Sequence, residues 1–156
     1  MIDDSLWPVE TPFIWSVTVS EEDLDELNHT NNGRYVNWCE SAAWAHSQLL
    51  GLSVADYHRL DRAMAVHHGE YDYLRATFAG DALHVGTWLA ENAPTRMMRR
   101  FQIIRESDMA VVFRGRWDLV CIELSTGKPR RQPPEFLEIY GAAVARPRDA
   151  GDAPAG

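Results

Sequence analysis

The run Asp25-Glu26-Leu27-Asn28-His29-Thr30-Asn31-Asn32-Gly33-Arg34-Tyr35 is the part of this 156-residue chain from which the rest can be read. Within a few residues it passes from a loop of carboxylates and carboxamides into the start of a helix. Asn32 is the expected N-cap, because a short side chain with an oxygen can take one of the N–H groups that a first helical turn leaves without a partner. Tyr35, Trp38, Ala42, Ala45 and Leu49 then recur at three- and four-residue steps, the stripe of a helix with one buried side. Gly51 stands where a left-handed residue would end it. The rod is roughly 27 Å long at about 1.5 Å per residue, and Ala42, Ala43 and Ala45 allow it close to a sheet.

Working outward, Phe13 to Val19 is rich in β-branched and aromatic residues and predicts a strand. Past the helix, Ser53 to Leu60 forms a short second helix with Ser53 as its cap. Strands are expected at Met64 to Tyr73, where Gly69 marks a bulge or a close backbone approach, and at Ala82 to Ala90 after the Gly80-Asp81 turn. Arg96 to Glu106 and Met109 to Glu123 form a hairpin. In its second arm Val111, Phe113, Gly115, Trp117, Leu119 and Cys121 share one side, and Arg114, Arg116 and Asp118 the other. Residues 1 to 11 are a loose lead-in, Pro133-Pro134 an exit, and 141–156 a disordered tail. One α+β domain over residues 1–140 follows, with an antiparallel sheet beside one long helix. One helix covers one sheet face, so the other face or the edge is expected to meet a second copy.

Composition narrows the function. A net charge of −8 argues against nucleic acid as a partner. No apolar run is long enough to cross a membrane, the acidic Met1-Ile2-Asp3-Asp4-Ser5 start is unlike a signal peptide, and two cysteines, Cys39 and Cys121, fit a reducing compartment. A cytoplasmic location is expected. Fourteen of the fifteen basic residues are Arg and nine of the fifteen lie from Arg96 to Arg131, a concentration suited to an anionic small molecule. No metal-ligand spacing, phosphate loop or nucleophile elbow is present.

The Asp25–Tyr35 run and the later Tyr73-Leu74-Arg75-Ala76-Thr77-Phe78-Ala79-Gly80-Asp81 together resemble the hot-dog-fold acyl-CoA thioesterases of the 4-hydroxybenzoyl-CoA thioesterase type. The likeness extends over most of residues 13 to 135. It implies an antiparallel sheet of five or six strands wrapped around one central helix, two subunits as the smallest active unit, and a homodimer or a dimer-of-dimers tetramer. It further implies hydrolysis of an acyl-CoA with no metal or bound cofactor, coenzyme A being part of the substrate. The family's catalytic carboxylate falls on Asp25, and the backbone N–H that polarises the thioester carbonyl falls at Asn32. Two departures stand out. Asn28 replaces a common Gly, and Leu27 occupies the position of a catalytic Asn in plant acyl-carrier-protein thioesterases.

A thioester needs a nucleophile or an activated water, and a donor for the charge that grows on its oxygen. Asp25 suits the first role, by direct attack or by taking a proton from water. The helix N-terminus suits the second. His29 either bonds Asp25 or the thioester or braces the loop, and Asn31 caps or braces. Tyr35 and Trp38 are expected against a short, aromatic or otherwise small acyl group, with Arg99, Arg114 and Arg116 also on the substrate. Trp38 or Trp44 as an aromatic wall leaves a cationic acyl chain open as well. Two other readings remain: an enoyl-CoA hydratase on the same fold, and a non-catalytic acyl-CoA-binding module.

Overall fold

The strand-forming runs assemble into five antiparallel-paired strands in the computed structural model, which describes residues 2–148. They are β1 (Phe13–Thr18), β2 (Arg62–Tyr73), β3 (Ala82–Asn92), β4 (Arg96–Arg105) and β5 (Ala110–Glu123), in the spatial order β1-β3-β4-β5-β2. Helix α1 (Asn32–Leu50) packs on one face, joined there by α2 (Val54–Leu60) and by α3 (Pro134–Ala142). The α+β layout is the expected one, with five strands.

Local chemistry sets the helix ends. Asn31, one residue before the expected cap, turns its side-chain oxygen back to accept from the Gly33 N–H at 2.9 Å. Gly51 closes α1 at φ 102°, a left-handed conformation that costs glycine little. Ser53 caps α2 in a reciprocal box with Asp56. Pro133-Pro134 does not lead out of the fold. Pro134 opens α3, where a proline gives up no helical hydrogen bond. Phe136 and Tyr140 then enter the core, four residues apart on one helix face.

Three bulges interrupt the strands; besides one at Ala90 of β3, two bear on the faces expected for β2 and β5. The β2 register slips at His67 rather than at Gly69, whose missing Cβ instead makes room for the Tyr71 hydroxyl. A second slip at Val112 moves Val111 off the core side, so the β5 alternation inward begins at Phe113. The core itself joins Tyr35, Trp38 and Ala42 of α1 to Leu83, Val85, Phe101, Ile103, Phe113 and Trp117 on the sheet.

The opposite face is partly covered by the chain's own ends. Trp7, in the expected loose lead-in, is buried with Ile2, Val9, Trp88 and Ile104. Residues 143–148, expected as tail, run beside it: Val144 bridges Leu89, Pro147 bridges Val9, and Arg148 Nε donates to the Trp7 carbonyl at 2.8 Å. Gly141 and Ala142, also expected as tail, end α3, and residues 149–156 lie outside the described residues. The face therefore does not by itself require a second copy, and the case for one moves to the outer strand β2.

A methyl group at Gly86 would sit 2.3 Å from the Trp7 ring. Gly86→Ala should therefore expel Trp7 and cost about 1–3 kcal/mol, read as a lower denaturation midpoint with red-shifted tryptophan fluorescence. An unchanged midpoint would contradict this packing.

Candidate active site

The Asp25 loop is a small hairpin. Leu24 and Thr30 form an antiparallel bridge, the Asn28 N–H donates to the Asp25 carbonyl at 3.0 Å, and the Asp25 N–H donates to the His29 carbonyl at 2.8 Å. Such a three-residue loop needs one left-handed position after its turn, commonly glycine. Asn28 fills it at φ 61°, since asparagine tolerates that region better than other side chains do. The departure from glycine thus preserves the turn.

The same geometry orients the carboxylate. Asp25 Oδ1 accepts from the N–H groups of Leu27 at 2.8 Å and His29 at 3.3 Å, while Oδ2 has no partner among the described residues. An open groove lined by Glu21, Leu24, Asp25, Asn28, Phe78 and Ala79 runs beside it. At the start of α1 the Gly33 N–H is used by Asn31, and the Asn32 N–H takes no acceptor among the described residues. The loop thus presents a carboxylate anchored at one oxygen and free at the other, and the helix it leads into begins with a free donor. The two are joined through Asn31, whose N–H donates to the Asp23 carbonyl at 2.8 Å.

A buried chain of hydroxyls fixes this corner to the sheet. Thr77 Oγ1 meets Thr30 Oγ1 at 2.6 Å and the Tyr35 hydroxyl at 2.7 Å, and the Thr77 carbonyl accepts from both the N–H and the Oγ1 of Thr30. One proton order satisfies every atom: Tyr35 donates to Thr77, Thr77 to Thr30, and Thr30 to the Thr77 carbonyl. Neither threonine stood out in the sequence, although Thr77 lies inside the second stretch that carries the resemblance.

The other expected residues are dispersed. Tyr35 and Trp38, at 3% and 6% exposure, belong to the core and offer no open wall, Tyr35 because its hydroxyl is spent on Thr77. The His29 ring stands edge-on to Phe78 at 5.3 Å and makes no side-chain hydrogen bond to Asp25. Arg114 donates to Gln102, and Arg116 pairs with Asp118 at 3.1 Å. Both lie on the sheet face away from α1, whereas Arg99 points toward it, because alternate residues of a strand face opposite ways. The three arginines do not converge.

Arg99 lies at a deeper cleft of about 260 Å³ between α1 and strands β2, β4 and β5, where Trp44 and Trp117 form aromatic walls. Its Nη1 donates to His46 Nδ1 at 3.0 Å and to Thr87 Oγ1 at 3.1 Å. Burial first, and the nearby guanidinium second, hold His46 down at a pKa of about 4. Among the described residues no group of His, Cys, Asp and Glu side chains is placed to hold a metal ion, and no helix is long and apolar enough to cross a membrane.

Two predictions follow from these contacts. Thr77→Val keeps the shape but leaves the buried Tyr35 hydroxyl without its acceptor and removes the donor to the Thr30 hydroxyl, so it should cost about 1–3 kcal/mol and speed amide hydrogen exchange at Thr30. Wild-type exchange there would contradict the tie. His46 binds its proton less readily folded, near pH 4, than unfolded, near 6.5. Its contribution to stability is therefore complete above 6.5 and is lost as the pH falls toward 4. His46→Gln should melt with a smaller change between pH 7 and pH 5 than the wild type, and an equal change would refute the assignment.

Comparison with known proteins agrees with this fold. Residues 19–139 match the profile of the Thioesterase-like superfamily. Among solved structures, a DHNA-CoA thioesterase from Staphylococcus aureus superposes with a TM-score of 0.77 at 24% identity, over 84% of this chain and 89% of that one. The probable thioesterase YbaW of Escherichia coli gives 0.72 at 25% identity, over 85% and 98%. A hypothetical protein from Staphylococcus aureus solved in complex with CoA gives 0.80 at 17% identity, over 95% and 89%. No curated protein matches the sequence. With its five-stranded hot-dog fold and a profile match over most of its length, the chain belongs to the Thioesterase-like superfamily.

Proposed function

We propose that this protein hydrolyses the thioester of a small acyl-CoA, giving the free acid and coenzyme A, with Asp25 as nucleophile or general base and the Asn32 N–H as the carbonyl's hydrogen-bond donor. The observation that carries the reading is the half-anchored Asp25 carboxylate, free at Oδ2 among the described residues, in the loop that leads into a helix whose Asn32 N–H takes no acceptor. The free oxygen either attacks the carbonyl carbon, giving an anhydride that water opens, or takes a proton from the water that attacks. In both routes negative charge grows on the carbonyl oxygen. A free N–H at the positive end of α1 stabilises it by about 3 kcal/mol. His29 and Asn31 serve as loop brace and cap. No metal or bound cofactor takes part.

The superfamily membership and the CoA-bound neighbour support a CoA ester as substrate. The hydratase reading lacks a matching contact, because the His29 ring rests on Phe78 and not on Asp25. Two copies pairing through β2 form the working unit, alone or as a dimer of dimers. The support is an outer strand with a free edge and exposed Val66 and Tyr73, together with Leu27, 75% exposed at the tip of the Asp25 loop. The free thiols of Cys39 and Cys121, both buried, suit a cytoplasmic setting.

Asp25→Asn retains the Oδ1 acceptor for Leu27 and His29, so the loop should keep its form. Thiol release from acyl-CoA should nonetheless fall by about 10²–10⁴-fold, with the melting temperature unchanged. Turnover at the wild-type rate in this variant would end the enzymatic assignment, and absence of turnover in the wild type across an acyl-CoA panel would favour the binding module.

A further inference from the structure

Arg99 is 4% exposed, yet among the described residues no carboxylate pairs with it. Its described partners, His46 and Thr87, are both uncharged acceptors bound by Nη1 alone, which leaves the Nε and Nη2 donors without a protein partner among the described residues. Desolvation lowers its pKa to about 10, opposed by the Tyr140 and Tyr57 oxygens, so the group stays cationic at neutral pH. A buried cation without a counter-charge is costly, and protein interiors normally supply an anion to it.

Trp44, Trp117, Met64 and Met97 give the cleft in front of it apolar walls, beside the hydroxyls of Ser47, Tyr57 and Tyr140. Its hydroxyl protons are all spent inward. Ser47 donates to the Leu52 carbonyl at 2.7 Å, so Tyr140 must donate to Ser47 and Tyr57 to Tyr140. That leaves Arg99 as the one cationic donor on the lining. The single carboxylate on the lining, Glu40, is exposed at the mouth and makes no ion pair with Arg99. A cationic group is therefore repelled from the interior and an acceptor anion is drawn in. The volume of about 260 Å³ lies just below the range of about 300–1,000 Å³ usual for drug-sized ligands, which suits one small chain or ring.

We propose that this cleft is the acyl-binding site and that Arg99 selects acyl groups ending in a carboxylate. The assignment rests on the thioesterase reading for its link to catalysis, and on the cleft alone for its anion preference. Trp44 is twelve residues along α1 from Asn32, roughly 18 Å by helical rise. A short acyl chain cannot span that length, so the cleft serves the Asp25 corner of a second copy. Antiparallel pairing of two β2 edges about a two-fold axis runs the two α1 helices in opposite directions and sets one chain's Asp25 loop beside the other's cleft. Val66 of β2 lies on the lining, at the edge where such a pair would meet.

The test has two arms on the full chain. Thiol release is compared for glutaryl-CoA and pentanoyl-CoA, which share chain length and differ at the far end, in the wild type and in Arg99→Met. Separately, benzoate, benzyl alcohol and benzamidinium are titrated against the fluorescence of Trp44 and Trp117, with melting curves to verify that the variant folds. The expected results are a preference for glutaryl-CoA of about 10- to 100-fold, carried in KM, and benzoate binding tighter than benzyl alcohol by a similar factor, with no binding of benzamidinium. Both preferences should vanish in Arg99→Met. Benzoate binding that depends on Arg99, in a protein that hydrolyses neither ester, would keep the anion site and overturn the thioesterase reading. Hydrolysis with no preference for the carboxylate, or benzoate binding unaffected by Arg99→Met, would overturn the anion site and leave the thioesterase reading standing. Should Arg99→Met not fold, Arg99→Lys replaces it. Lysine keeps the charge but loses the planar fork, and an undiminished preference together with benzamidinium binding as tight as benzoate in the wild type would be the contradicting result.

Discussion

The Thr77 side chain, clasped between the hydroxyls of Thr30 and Tyr35, is the contact on which the arrangement of the active corner depends. Thr30 ends the Asp25 hairpin, Tyr35 lies in the first turn of α1, and Thr77 belongs to the segment after β2. The first two are close in sequence and the third is more than forty residues away. Each bond contributes only about 1 kcal/mol net, but leaving one of these buried groups unpaired costs about 1–3 kcal/mol. The carboxylate loop and the helix mouth are held together by that penalty more than by attraction. Tyr35 adds its ring to the tie by stacking on Phe113, 5.4 Å away at 5°.

The long helix carries opposite electrostatic demands at its two ends. Its N-terminus presents partial positive charge, where the Asp25 carboxylate and a developing oxyanion are both favoured. Near its C-terminal end His46, four residues before Leu50, bonds Arg99, and the negative end of the dipole favours that cation. One rod thus supports an anionic centre at its mouth and a buried cation toward its tail. A dimer with antiparallel helices would bring unlike ends together, which gives a CoA ester with a charged acyl tail two anchored termini.

Much of this was legible in the chain. The alternation in β5, the glycine that ends α1 and the serine that caps α2 are local signals, and each element formed where its residues indicated. The Asp25–Tyr35 run indicated both the loop and its helix. Other features depend on partners that no local pattern reveals. The stripe on α1 was expected to continue through Ala45 and Leu49, yet Leu49 is 72% exposed and His46 and Ser47 are buried in their place. Polar residues read as surface until Arg99, Tyr140 and the Leu52 carbonyl are seen to satisfy them. Arg99 is expected on the substrate together with Arg114 and Arg116, and the parity of β4 instead turns it alone to the α1 side of the sheet. Trp7 and α3 were missed because short segments flanked by prolines resemble linkers unless a distant cavity needs their aromatic rings.

The central claim is that one carboxylate oxygen and one helical N–H act on the same thioester. A crystal structure with a ketone analogue of an acyl-CoA, in which a methylene replaces the sulfur, tests it most directly. The account predicts the carbonyl oxygen at about 3 Å from the Asn32 nitrogen, with Asp25 Oδ2 facing the carbonyl carbon or a water next to it. An analogue bound with its carbonyl remote from both groups would contradict the account.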